Sequence, residues 1–237
     1  MLILALDTCD SRGSIALLRG DSVIAEIPHA TEEEYSSWLL PAVDSLLSSS
    51  GLSHSDLAGY AVASGPGSFT GVRVGLTTVK AWSEVYSKPV IPISRLAVLA
   101  HKAPQESAFV AAFIDAQRKQ AFGALYRREA GALVAVEEER VIDPTEFFLW
   151  SAQIAGQAPL AWASLDPEIL TNSSFWAQRQ SKEEHVLSVR PPLAGAIGLA
   201  AIAQMGMAGK NVDALTLDAN YVRRSDAEIF GKKAAGQ

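Results

Sequence analysis

The chain has 237 residues, 49% of them hydrophobic, which is enough to bury a sizeable core and excludes a disordered chain. Against 26 acidic residues stand 20 Lys and Arg, a formal net charge of -6, and no basic block is long enough to follow a phosphate backbone, which argues against broad nucleic-acid binding by this chain alone. The single cysteine, Cys9, rules out an internal disulfide and fits a reducing compartment, so the expected location is the cytoplasm.

The first residues, MLILALDT, lack a basic segment before the apolar run and read as a strand, not a secretory signal. Strands are predicted at Leu2 to Asp7, Ser14 to Arg19 and Ser22 to Ile27, the last two joined by the turn-like Arg19-Gly20-Asp21. The hydrophobic period then changes to that of a helix from about Glu33 to Ser49, with a kink expected at Pro41. A strand at Tyr60 to Ala63, a helix from about Thr70 to Tyr86 and a strand at Val90 to Ile93 complete this part. Near residue 109 the opening recurs: FVAAFIDA reaches Asp115 as LILALDT reaches Asp7, AFGALYRR answers GSIALLRG, and LVAVEEERVI answers SVIAEI. Shorter helices are expected around Pro144 to Gln153 and Asp166 to Leu170. The Ala- and Gly-rich stretch from Pro191 to Gly209 reads as a packed core helix and not a membrane span.

This internal repeat is the layout of the actin-like (ASKHA) superfamily, in which two ribonuclease-H-like lobes carry mixed sheets flanked by helices. The expected fold is therefore α/β with duplicated actin-like lobes. The KAPQE segment suggests a boundary, giving an N-terminal lobe over residues 1–103 and a smaller C-terminal lobe over residues 104–237.

The segment GPGSFTGVRVG, Gly65 to Gly75, lies between a strand and a helix. Its glycines allow close backbone approach, and Ser68 or Thr70 can cap the following helix. Two readings stand: a structural turn, or an anion site at the helix N-terminus. It is not a Walker loop, because no GK precedes a Ser or Thr. Asp7 and Thr8 sit where actin-like kinases place the aspartate and polar residue that manage metal and phosphate. The candidate anion or nucleotide contacts are thus Asp7, Thr8, Gly67, Ser68 and Thr70. The second nucleotide-gripping feature of that superfamily, a double-glycine turn, has no counterpart, since the chain contains no GG pair. The four histidines, His29, His54, His101 and His185, show no metal-ligand spacing, and no GxSxG elbow is present, so no metal, catalytic residue or resident cofactor is expected.

Two helices carry more apolar surface than a single core contact needs. In the first, Tyr35, Trp38, Leu39, Val43 and Leu46 belong to a stripe spread over roughly 200°, against the ~100° of an ordinary surface helix. In the second, Val72, Leu76 and Val79 belong to a set that runs nearly all round. Either both helices are sandwiched inside the domain, or these residues pair with another chain. On the second reading, a charge at Leu39 or Val43 abolishes pairing and leaves the monomer folded.

With these residues in view, the chain resembles the TsaB (YeaZ) family of tRNA threonylcarbamoyladenosine biosynthesis. The resemblance is carried by LALDT at Leu4 to Thr8, LLPAVDSLL at Leu39 to Leu47, GPGSFTGVRVG with the following LTTVKAW, DAQRKQAFGALY at Asp115 to Tyr126, and YVR at Tyr221 to Arg223. The chain departs from the family at EEEYSSW, where many members have a histidine, and at DAQRKQ, where many have DAR with a following acidic residue. The resemblance implies a non-catalytic subunit that pairs with TsaD, the related transferase that binds metal through an HxxxH pair; here the corresponding stretch offers only His101. It further implies a TsaE-type ATPase on the heterodimer, a homodimer when the chain is alone, tRNA contact only through the complex, and no membrane. A nucleotide at the subunit interface stays open. The alternatives from another class are a glycoprotease-like metallopeptidase and an actin-like ATP-dependent enzyme.

Overall fold

The structure is a computed structural model that describes residues 1–29, 32–179 and 184–208. The YVR element of the family resemblance lies outside the described residues. The described residues divide into two compact units, one of residues 1–98 with 190–208 and one of residues 99–189.

In the first unit, β1 (Leu2–Asp7), β2 (Ser14–Arg19) and β3 (Ser22–Pro28) run antiparallel, and β4 (Gly59–Gly65) and β5 (Val90–Ser94) extend the sheet in parallel, in the order β3-β2-β1-β4-β5. Leu2–Asp7 is almost uniformly apolar because β1 lies at the centre of the sheet; Ile3, Leu4, Ala5 and Leu6 are fully buried. Helices α1 (Tyr35–Ser49) and α2 (Phe69–Tyr86) pack on the sheet and on each other. Pro41 is accommodated inside α1. A short α3 (Arg95–His101) follows β5.

The second unit repeats the plan. β6 (Phe109–Gln117), β7 (Gln120–Glu129) and β8 (Ala132–Ala135) are antiparallel, while β10 (Leu160–Ser164) and β11 (His185–Ser188) continue in parallel beside β6. The order β11-β10-β6-β7-β8 is the first sheet's order in mirror listing, with β9 (Arg140–Ile142) added beside β7. The third strand of the repeat thus divides in two around the exposed Glu137 and Glu138. α4 (Pro144–Ala155), α5 (Glu168–Thr171) and α6 (Ser174–Arg179) surround a core built on Trp162, Phe113, Phe147 and Phe148. Asp143 accepts from the amides of Thr145 and Glu146 and so caps α4, with Pro144 at its first turn.

The expected division at residue 103 needs a correction. α7 (Ala194–Ala208) packs against β1, β2, β4 and β5 of the first sheet. The reason is its small residues: a Cβ on Gly198 would collide with Leu18, so only a glycine lets this helix lie so close to β2. Its start is held by β2 and β3, where the Ala194 amide donates to Ser14 Oγ at 3.0 Å and the Gly195 amide to Glu26 Oε1 at 2.8 Å. The core helix expected in the stretch Pro191 to Gly209 is present as Ala194–Ala208, Gly209 lying outside the described residues, but it belongs to the first unit. Among the described residues no helix is long and apolar enough to cross a membrane.

Candidate functional site

The end of β1 carries the chain's most concentrated buried polar chemistry. Asp7 and Arg95 are both fully buried, and Arg95 Nε donates to Asp7 Oδ2 at 3.1 Å. The same guanidinium donates from Nη2 to Asp10 Oδ2 at 3.0 Å and from Nη1 to the Pro66 carbonyl at 3.3 Å. The other Asp7 oxygen accepts the Cys9 amide at 3.0 Å, and Arg12 donates to Asp10 Oδ2 at 2.7 Å. Two carboxylates are thus neutralised by two guanidiniums. Burial alone would raise the Asp10 pKa, but the charges of Arg95 and Arg12 outweigh it and hold the carboxyl down at about 2. Cys9 is pushed well above the ordinary thiol range, first by burial and then by the Asp7 charge, which makes it an inert core thiol.

The glycine-rich segment packs onto this strand end. Ser68 donates its amide to the Cys9 carbonyl at 2.6 Å, and Thr8 Oγ1 donates to the Gly71 carbonyl at 2.7 Å. A Cβ on Gly67 would strike the Cys9 carbonyl, and one on Gly71 the Thr8 carbonyl. Ser68 caps α2. The glycines are therefore demanded by the contact of α2 with β1, which is the structural reading of the motif.

Of the five candidate anion contacts, the structure gathers all at one strand end, but in unequal states. Asp7 is consumed by Arg95, and Thr8 is buried and bonded to Gly71; Ser68 and Thr70 are the exposed members. An open cavity of about 210 Å³ adjoins them, lined among others by Asp10, Glu34, Ser36, Ser68 and Thr70. Its lining holds two carboxylates and no cationic side chain, a poor setting for phosphate. A metal and nucleotide held in the actin-like manner need the Asp7 carboxylate, so the residues here do not fit that pair. Among the described residues there is no group of three or more His, Cys, Asp or Glu able to hold a metal ion, and His101 stands at the exposed end of α3.

The expected interface residues need a correction. Leu39 and Val43 are each 1% exposed, and Trp38, Leu46, Val72, Leu76 and Val79 are likewise buried. They fill the space between α1, α2 and the sheet and offer nothing to another chain. Tyr35 is half-buried: its hydroxyl donates to the Asp10 carbonyl and accepts the Gly13 amide at 3.1 Å, so it fastens the β1–β2 loop. The outer faces of the same helices carry other apolar residues, chiefly Leu40 at 55% and Val85 at 72% exposure.

The counterpart of the Asp7 loop in the second unit is different. There the β6–β7 hairpin turns through Gln117, Arg118 and Lys119, with φ of 61°, 55° and 61°. Three consecutive non-glycine residues in the left-handed region cost about 1–3 kcal/mol each. Nothing in the sequence flagged this turn, because the left-handed two-residue loop normally announces itself as Asn-Gly or Asp-Gly. Arg95 was also missed: a lone arginine after a strand carries no sequence signal of burial.

The duplicated sheets place the protein in the actin-like α/β class. At 12% identity, the activator of the 2-hydroxyisocaproyl-CoA dehydratase from Clostridium difficile shares this fold with a TM-score of 0.52 over 90% of this chain and 98% of that one. YeaZ from Pseudomonas aeruginosa is much more similar: 27% identical, with a TM-score of 0.70 over 91% of this chain and 96% of that one. The family model described as "TsaD: tRNA N6-adenosine threonylcarbamoyltransferase" matches residues 22–177. Proteins called "tRNA threonylcarbamoyladenosine biosynthesis protein TsaB" match as well. The one from Bacillus subtilis is 38% identical over 57% of this chain and 59% of its own length, and that from Escherichia coli 32% over 66% and 69%. The one from Haemophilus influenzae is 29% identical over 100% of this chain and 98% of its own length. The chain belongs to this threonylcarbamoyladenosine family, and within it to the TsaB (YeaZ) members.

Proposed function

We propose that this chain acts in tRNA threonylcarbamoyladenosine biosynthesis as a non-catalytic subunit, one that pairs with a TsaD-type transferase and activates it for transfer of the threonylcarbamoyl group to adenosine 37 of tRNA. The observation that carries this reading is the buried Arg95 on Asp7: the carboxylate that an actin-like enzyme uses for metal and phosphate is held by a tethered guanidinium. A rival metallopeptidase or ATP-dependent enzyme has no such free carboxylate at this strand end. Pairing uses the outer faces of α1 and α2, where Leu40 and Val85 stand exposed, and not the buried residues beneath them. A TsaE-type ATPase then acts on the heterodimer, tRNA is met only in that assembly, and the chain alone pairs with itself through the same faces. No cofactor on this chain is required, and the cytoplasm is where such a complex works.

Reconstitution with the TsaD and TsaE of the same genome, threonylcarbamoyl adenylate and unmodified tRNA tests the reading. Threonylcarbamoyl incorporation should require TsaD and this chain together. Incorporation by this chain alone would overturn the non-catalytic role, and full incorporation by TsaD and TsaE without it would overturn the activating one.

A further inference from the structure

We propose that the open cavity beside the starts of α1 and α2 is a socket for a basic side chain, an arginine or a lysine, presented by the TsaD-type partner; this rests on the reading that such a partner packs on the outer faces of those helices. The cavity measures about 210 Å³. Thr8, Gly71 and Val74, buried or half-buried, line its inner part, and the exposed Glu34, Ser36 and Thr70 line its mouth. Among the described residues no Lys, Arg or His takes part in the lining. Asp10 also faces it, but Arg95 and Arg12 already neutralise that carboxylate, so the charge left to a ligand is that of Glu34. Glu34 stands at the N-cap of α1, where a shorter Ser, Thr, Asp or Asn would accept from the first amides, and its side chain makes no such bond. Within the described residues the side chains of Glu34, Ser36 and Thr70 have no hydrogen-bond or ion-pair partner.

These groups suit a donor cation. The hydroxyls can accept from an ammonium or guanidinium that the Glu34 carboxylate neutralises, and Val74 offers an apolar wall for the methylene stem. A helix N-terminus attracts anions through its leading amides, but those of α2 are turned inward: the Ser68 amide donates to the Cys9 carbonyl at 2.6 Å and the Gly71 amide to Ser68 Oγ at 3.4 Å. At the start of α1 the amides of Ser37 and Trp38 both donate to the Glu34 carbonyl at 3.0 Å. Glu32 and Glu33, exposed next to Glu34, add to the negative potential at this end of the helix. The occupant is a partner's side chain and not a free amine, because a lone exposed carboxylate binds a solvated cation weakly, whereas a packed partner excludes the water. Ser36 lies one turn before the exposed Leu40 and so on the same face of α1, which makes the cavity continuous with the surface assigned to pairing.

The test measures pairing of the full chain with the TsaD of the same genome by isothermal titration calorimetry. Glu34→Gln, a near-isosteric loss of the charge, should bind about tenfold more weakly, and its affinity should fall less steeply with salt than the parent's. Ser36→Trp, which plugs the cavity and keeps every charge, should weaken pairing by a similar factor. Asp21→Asn, an equal loss of charge in the exposed β2–β3 turn, should bind within about twofold of the parent. All three positions are exposed, so the variants should melt within about 1–2 °C of the parent. Parent-like pairing by both Glu34→Gln and Ser36→Trp would overturn the proposal. So would a loss in Asp21→Asn as large as that in Glu34→Gln, which would make the effect one of net charge. n-Butylguanidinium titrated into the chain alone, followed by the amide resonances of Ser36 and Gly71, reads the cavity without the partner. Saturable shifts in the parent that vanish in Glu34→Gln are expected; shifts absent from the parent, or equal in the two proteins, would overturn the socket. If the parent fails to pair with TsaD at all, the functional reading falls separately, and the cavity is then judged by this titration.

Discussion

Arg95→Met is expected to lower the stability of the first unit by about 3–5 kcal/mol, the usual cost of stripping one partner from a buried ion pair. The removed guanidinium leaves Asp7 fully buried with the Cys9 amide as its remaining partner among the hydrogen bonds seen here, and it removes one of the two cations that neutralise Asp10. Urea unfolding followed by circular dichroism reads the effect as a lower midpoint at unchanged slope. The double variant Asp7→Asn with Arg95→Met should recover much of the loss, since no bare charge is left behind. The pH dependence has a definite sign. Asp10 has a folded-state pKa of about 2, below its ordinary 3.8, so it contributes stability that is fully present above about pH 4 and is lost as the pH falls toward 2. With Arg95 gone, Asp10 titrates at higher pH and this loss should begin earlier on acidification. A midpoint equal to the parent's would show that the Asp7–Arg95 pair does not hold the strand end.

The second large effect separates the buried from the exposed side of α1. Leu39→Glu places a carboxylate at a site 1% exposed, under the helix and against the sheet, and should unfold the first unit at a cost of several kcal/mol. Leu40→Glu, one residue on and 55% exposed, should leave the melting temperature within about 1–2 °C of the parent, as surface substitutions generally do, and yet abolish pairing with TsaD. Circular dichroism and light scattering on the two variants check both halves. Folded Leu39→Glu protein that has lost pairing would restore the sequence-based interface; full pairing by Leu40→Glu would move the interface off this helix face.

Much of the fold was legible because hydrophobic period and repetition are local. β1 to β5 and both long helices fall where the pattern puts them, and the match of FVAAFIDA to LILALDT announced a second copy of the opening strands, which the structure shows in a sheet of the same order. Less was legible where tertiary contact decides. The run LVAVEEERVI reads as one strand but splits around its exposed glutamates into β8 and β9. β10 and β11 are short and carry Ala or His among their apolar residues, which blurs a period-2 signal. The helix at Ala194–Ala208 was recognisable, but its allegiance to the first sheet depends on the close fit of Gly198 over Leu18, a long-range fact. At the candidate site, the glycine-rich turn was found by its residues, whereas its meaning turned on Arg95, 88 positions from Asp7. Of the two readings that the apolar helices left open, the burial of Leu39, Val43 and Val79 within the chain supports the sandwiched one for these positions: periodicity gives the width of an apolar stripe and not the identity of what covers it.

The central claim is that this chain works by pairing with a TsaD-type transferase. Light scattering coupled to size-exclusion chromatography, on this chain mixed with the TsaD of the same genome and on each alone, tests it most directly. A one-to-one complex that replaces any homodimer is the predicted result. Two folded proteins that elute independently at micromolar concentration would contradict it.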